Sequence, residues 1–152
     1  MTRHGRVALL DVNVVVALFD PDHVHHEVAH DWFADHRANG WATCPLTENG
    51  FLRTAIALSR GREPVSVADL SDAFRAFTSS GKHEFWTDDV SLLDAGVFEP
   101  WPVLGHQQLT DVYLLAMAVK RKGVLATFDR RIPIGAVKGG RREHVELLAP
   151  AD

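Results

Sequence analysis

A single cysteine, Cys44, stands in the whole sequence, which excludes an internal disulfide and any multi-cysteine zinc site and suits a reducing compartment. Positive charge is also short: 16 lysines and arginines face 20 aspartates and glutamates, for a formal net charge of −4. Such a chain has no global attraction for a polyanion, so binding one requires a local basic patch or a bound cation. No stretch of low hydrophobicity is long enough for a disordered region, and no repeat, low-complexity tract or inter-domain linker interrupts the pattern. Long apolar runs are missing too. The apolar segment after MTRHGR is broken by Asp11 and Asn13, and no small-residue cleavage pattern stands out, which argues against a signal peptide or a membrane span. The expectation is a cytoplasmic protein with no membrane association. What is present is ordinary globular composition, 46% hydrophobic and 24% charged. A chain of this size folds as one domain over residues 1–152 and buries roughly two-thirds of the surface exposed when unfolded.

Short apolar runs recur along the chain and read as strands buried on both faces of a parallel sheet. They are VALL at 7–10, WATC at 41–44, EFW at 84–86, VLAT at 124–127 and HVELL at 144–148. Helical patterns separate them. From Asp22, Val24, Val28, Trp32 and Phe33 fall on or near one stripe, and Asn39 with Gly40 gives a stop. Pro45 opens a helix through LTENGFLRTAIALSR, and Ser66 caps another over SVADLSDAFRAF. Thr110 caps the last, TDVYLLAMAVKRKG, whose apolar side carries Leu114, Leu115, Met117 and Ala118 and whose basic end precedes Gly123. Alternating strands and helices imply an α/β sandwich with a mostly parallel sheet.

Binding sites in open parallel sheets form beyond the carboxyl ends of the strands. Asp11 directly follows VALL, and Asp129 follows VLATF, so two strands end in an aspartate at the same rim. Glu48 lies in the first turn after Pro45 and Asp111 in the first turn after Thr110, both near that rim. Singly, each of these two has a bland explanation as an acid at a helix start. Four together do not, because clustered carboxylates repel and raise one another's pKa. A hard cation resolves the conflict: Mg²⁺ or Mn²⁺ suits carboxylate oxygens, and an ion pair about 3.5 to 4 Å apart can drive phosphodiester cleavage. If the backbone stays extended, Asn13 lies on the side of Asp11 and Thr127 on the side of Asp129, each able to support an acid by hydrogen bonding. A plain turn or cap role is the alternative for Asn13.

Four segments, LLDVNVVVAL, TENGFLR, LTDVYLLAMA and LATFDRRI, resemble in order the four motifs of the PIN-domain ribonucleases, specifically the VapC-type toxins of type II toxin–antitoxin systems. The likeness spans nearly the whole chain, since DPDHVHHEVAHDWF and EFWTDDVSLLD also read like the stretches between those motifs in one VapC branch. It implies a PIN-like three-layer sandwich around a five-stranded, mostly parallel sheet of order 3-2-1-4-5. It further implies an acidic quartet of Asp11, Glu48, Asp111 and Asp129, with Asn13 and Thr127 as supporting polar residues. In the implied mechanism Asp11, Asp111 and Asp129 hold Mg²⁺ or Mn²⁺, while Glu48 completes the shell or positions the attacking water. The expected activity is endoribonuclease cleavage of structured RNA such as tRNA or rRNA. The expected partners are a second copy of the chain and a VapB-like antitoxin that inserts into or covers the acidic groove.

Other residues invite competing readings. His23, His26 and His30 are spaced for one helix face, but the flanking acids mark an exposed polar face rather than a zinc site. His106 lies closer to the proposed rim. Arg53 sits five positions after Glu48, roughly 140° around the helix, and is available to RNA phosphate or a partner rather than to Glu48. The basic segment after Asp129 supplies Arg130, Arg131, Lys138, Arg141 and Arg142, a local answer to the unfavourable net charge. Trp32, Trp41 and Trp86 belong to core patterns, and Trp101 stays open as a stacking residue. A haloacid dehalogenase-type phosphatase also places an acid after its first strand, but DVN replaces the DxD it needs. A catalytically silent PIN fold that binds RNA or protein is the remaining rival.

Overall fold

The computed structural model describes residues 5–100 and 105–149. Five strands, β1 (Ala8–Leu10), β2 (Trp41–Thr43), β3 (His83–Phe85), β4 (Val124–Thr127) and β5 (Val145–Leu147), form one sheet. Every pairing is parallel and the order is β3-β2-β1-β4-β5. Each strand lies within a residue of its expected bounds. The helices are α1 (Val12–Phe19), α2 (His26–His36), α3 (Pro45–Leu58), α4 (Val67–Thr78) and α5 (His106–Lys120).

Alternation along the strands divides the core into two layers. Leu10, Trp41 and Ala126 face one side, where they join α1 to α4 through Val14, Phe33, Phe51 and Phe74. Leu9, Ala42 and Leu125 face the other, where Leu114, Leu115 and Met117 of α5 cover them. Trp32, Trp41 and Trp86 are buried as expected, whereas Trp101 lies outside the described residues. The result is an α/β three-layer sandwich with the expected strand order, and the central strands β1 and β4 run side by side toward one rim.

Local departures from the expected pattern have physical causes. Residues 12–19 form a helix that the valine-rich run does not announce, because a helix buried on nearly all sides has no polar face to set a 3.6-residue period. Asn13 therefore stands in the first turn of α1, not on an extended strand as expected. The second helix begins at His26 rather than Asp22, which leaves Val24 85% exposed and His23 in the preceding turn. His26 and His30 are tied to the end of α1: their rings bond the carbonyls of Ala17 and Leu18 at 2.7 and 2.9 Å. Those are two of the four carbonyls a helix end leaves without partners.

The last helix starts a full turn early, at His106, where the Gln108 carboxamide oxygen accepts from the Gly105 N–H at 3.0 Å. Thr110 and Asp111 are consequently interior to α5. The expected caps at Pro45 and Ser66 are present, the Ser66 hydroxyl accepting from the Asp69 N–H at 2.9 Å. At the far end of α5 the positive φ belongs to Lys122, and Gly123 serves close approach instead: a Cβ there would lie 2.5 Å from the Val7 carbonyl oxygen. Among the described residues no helix is long and apolar enough to cross a membrane.

Candidate active site

Asp11 ends β1 and is the N-cap of α1, so its carboxylate is fixed at the junction of strand and helix. Its Oδ1 accepts from the Val12 N–H and its Oδ2 from the Thr127 hydroxyl, both at 2.7 Å. Only 4% of the residue is exposed. Burial pushes its pKa up, Thr127 and Val12 hold it down, and the charge of Asp129 raises it further.

Thr127, the fully buried last residue of β4, connects two acids. Its hydroxyl donates to Asp11 and accepts from the Asp129 N–H at 3.0 Å. Asp129 in turn closes an Asx turn, its Oδ1 accepting from the Arg131 N–H at 2.8 Å. Asp111 arrives on α5, immediately before the buried stretch Val112–Ala118. Its pKa is raised from 3.8 to about 7, by burial first, then by the charges of Asp11 and Asp129 and by a hydrogen bond to Asp129. A bond between two carboxyls needs a proton on one of them. Asp11, Asp111 and Asp129 thus form one electrostatic unit assembled from β1, α5 and the end of β4.

Glu48 is not among the charges acting on Asp11 or Asp111. It keeps its expected first-turn place on α3, but its pKa is raised by burial and by Asp88, and it lines a 240 Å³ cavity between α3 and α4 beside Arg75. Asp88, in the segment after β3, is an acid that sequence reading passed over. Its charge also raises Cys44 and Tyr113, so it lies on the Glu48 side of the rim. The signal available was its place just beyond a strand end, which it shares with Asp11 and Asp129. The Asn13 Oδ1 is buried with no hydrogen-bond partner among the described residues.

The basic candidates separate. Arg130 and Arg142 border one cavity beside Asp129, and Arg131 borders another with His106 and Asp111. Arg141 begins a short 3-10 turn and lines neither. Arg53 is exposed on α3, and Lys138 pairs with Glu99 at 3.9 Å. A 270 Å³ apolar cavity between the end of α1 and α3 holds none of the four acids.

Among the described residues, no three His, Cys, Asp or Glu side chains already stand as a metal cage. The reason is visible in their bonds: both oxygens of Asp11 and one of Asp129 are engaged by protein donors, and Asp111 leans on Asp129. The donor chemistry nevertheless suits a hard divalent cation. The charge of Asp129 acts on Asp11, those of Asp11 and Asp129 act on Asp111, no cation is among the causes acting on either, and each carboxylate oxygen retains a further lone pair.

The PIN domain family model matches residues 8–137. Ribonuclease VapC44 of Mycobacterium tuberculosis is 44% identical over 141 residues, 93% of this chain and 99% of its own length. Ribonuclease VapC39 of the same organism is 40% identical over 132 residues, covering 87% of this chain and 95% of its own length, and Ribonuclease VapC38 is 42% identical over 123 residues, covering 81% and 85%. With the strand order, the rim of acids and these relatives in agreement, the chain belongs to the PIN-domain family, in its VapC branch.

Proposed function

We propose that this chain is a Mg²⁺- or Mn²⁺-dependent endoribonuclease toxin that cleaves structured RNA such as tRNA or rRNA and is neutralised by a VapB-like antitoxin covering the acidic rim. The observation that carries the reading is the meeting of Asp11, Asp111 and Asp129, three acids from separate elements: burial first, then the charges of Asp11 and Asp129, push Asp111 to about 7. A purely structural rim has no use for such an arrangement, whereas a cation site does. The ribonuclease names of the VapC relatives support the same substrate.

Asp11, Asp111 and Asp129 would hold the ion. When bound, a divalent cation supplies water activation and charge stabilisation at the leaving oxygen. The chain's own residues do the rest. Thr127 and the Val12 N–H lock Asp11 in one orientation, and the Asx turn locks Asp129. Glu48, its pKa raised by burial and Asp88, would complete the shell or position the attacking water. Arg130, Arg131 and Arg142 supply the local positive field that the net charge of −4 withholds. The active form is a homodimer of single-domain chains in the cytoplasm, expected to sediment at twice the 16.8 kDa chain mass.

The test is cleavage of tRNA and rRNA by the purified chain with Mn²⁺, compared with Asp11→Asn and Asp111→Asn. Asparagine remains a good N-cap, so Asp11→Asn keeps α1. Both variants are expected to lose cleavage by at least about a hundredfold, as removal of a group stabilising transition-state charge does. Undiminished cleavage by either pure variant removes the mechanism. Manganese calorimetry separates the rival of a silent binding module, which gives no heat dependent on these acids.

A further inference from the structure

Asp129 is a wall shared by two cavities. One encloses 140 Å³ and is lined by Arg130, Ile132, Ile134, Arg142 and Leu147 as well as Asp129. The other encloses 260 Å³ and is lined by His106, Gln107, Gln108, Asp111 and Arg131 along with Asp129. The Asx turn at Asp129 is what divides them: bonding the Arg131 N–H turns the chain so that consecutive arginines border different cavities. The guanidinium groups of Arg130, Arg131 and Arg142 make no hydrogen bond or ion pair among the described residues. The side chains of His106 and Gln107 are exposed and equally uncommitted, while Gln108 is occupied with the start of α5.

We propose that a single RNA strand crosses the acid cluster at Asp129 with one base in each cavity, the base beside Arg130 and Arg142 held without regard to identity and the base beside His106 and Gln107 read by hydrogen bonds. This rests on the ribonuclease reading above and adds to it the residues that select the cleavage sequence.

The two linings dictate different chemistry. A cavity of about 150 Å³ admits one small aromatic ring, so the 140 Å³ cavity seats the six-membered ring of at most one base. Its aliphatic side chains offer a π-face contact, and its arginines stack on the ring or pair with the adjoining phosphate. With its guanidiniums engaged by the ring face and the adjoining phosphate, contacts that every nucleotide offers, this cavity holds a base without reading its edge. The larger cavity is polar. A carboxamide and an imidazole both donate and accept, and can therefore distinguish base edges. Flanking guanidiniums on both sides also offset the repulsion between the acids and the phosphates next to the scissile one.

The experiment measures binding of fluorescent single-stranded RNA hexamers, varied one position at a time, to the Asp11→Asn chain in Mg²⁺ buffer. Adding Arg130→Ala and Arg142→Ala is expected to weaken every hexamer by a similar factor and to flatten the salt dependence by about 0.7 per lost phosphate contact. Adding His106→Ala and Gln107→Ala is expected to shrink the affinity spread between best and worst hexamers about tenfold, in line with the worth of one base-reading contact, at unchanged salt slope. Gln107→Glu, which only accepts, is expected to shift the preferred base toward one offering a donor. An unchanged sequence spread in both position-107 variants, or an unchanged slope in the arginine variant, overturns the two subsites while leaving the nuclease intact. Failure of the Asp11→Asn chain to bind any RNA overturns the substrate reading and the subsites with it.

Discussion

Asp111 shows what a shared acid site does to stability. Its pKa of about 7 lies above the ordinary 3.8, so near neutrality the folded chain binds a proton that the unfolded chain has released. The favourable contribution is fully present below pH 3.8 and is lost as the pH rises through about 7. Asp111→Asn removes that titration. In chelator, the variant is expected to melt above the parent at about pH 8, with the gap narrowing toward pH 4. Thermal melts at several pH values check this, and a gap independent of pH would mean that neither burial nor the neighbouring acids disfavour the Asp111 carboxylate in the fold. Asp11 and Thr127 belong to the same scale: the two 2.7 Å bonds on Asp11 answer why a buried strand ends in a carboxylate. Both residues were legible in the sequence, but the hydroxyl that joins Asp11 to the Asp129 N–H was not, since it links positions 116 residues apart.

At the scale of elements, the site depends on how closely α1 and α3 approach. Gly50 has no Cβ because one would sit 2.5 Å from Val12 Cγ2, on the first residue of α1 after Asp11. Alanine gains about 1 kcal/mol of helix propensity, yet overpacking costs about 1 to 3 kcal/mol, and β-branched Val12 has little rotamer freedom with which to move. Gly50→Ala is expected to destabilise by about 1 kcal/mol in urea unfolding, and Gly50→Ala with Val12→Ala to recover most of it. A stabilised single variant would show that the two helices slide apart freely. The elements also show where pattern reading stops. Buried strands announce themselves as apolar runs, and VLAT at 124–127 does so to the residue. The apolar run of α1 looks the same in sequence, and only its packing between the sheet, α2 and α3 makes it a helix. The early start of α5 follows from a glycine and a glutamine side chain, a cap that does not use Thr110.

For the whole molecule, the acid unit staples β1, β4 and α5, elements drawn from both ends of the chain and from both core layers. A ligand that binds this unit only in the folded state stabilises the entire fold by mass action, by about 2.7 kcal/mol at a hundred times its Kd. Mn²⁺ is therefore expected to raise the melting temperature of the parent in a concentration-dependent way and to leave Asp11→Asn and Asp111→Asn near their ion-free values. Calorimetric scans against Mn²⁺ concentration test it, and equal shifts in parent and variants would place the ion elsewhere.

The sequence alone determined the strand positions and the presence of an acid at two strand ends, because burial on both faces and the carboxyl-end rim are properties of short local runs. Tertiary structure alone decided which acids meet. Asp111 was brought under the charges of Asp11 and Asp129 by the packing of α5 on the sheet, whereas Glu48, one of the same four by motif, feels the charge of Asp88 instead. Electrostatic coupling acts through distances in space, and no spacing along the chain encodes those distances until the layers have closed.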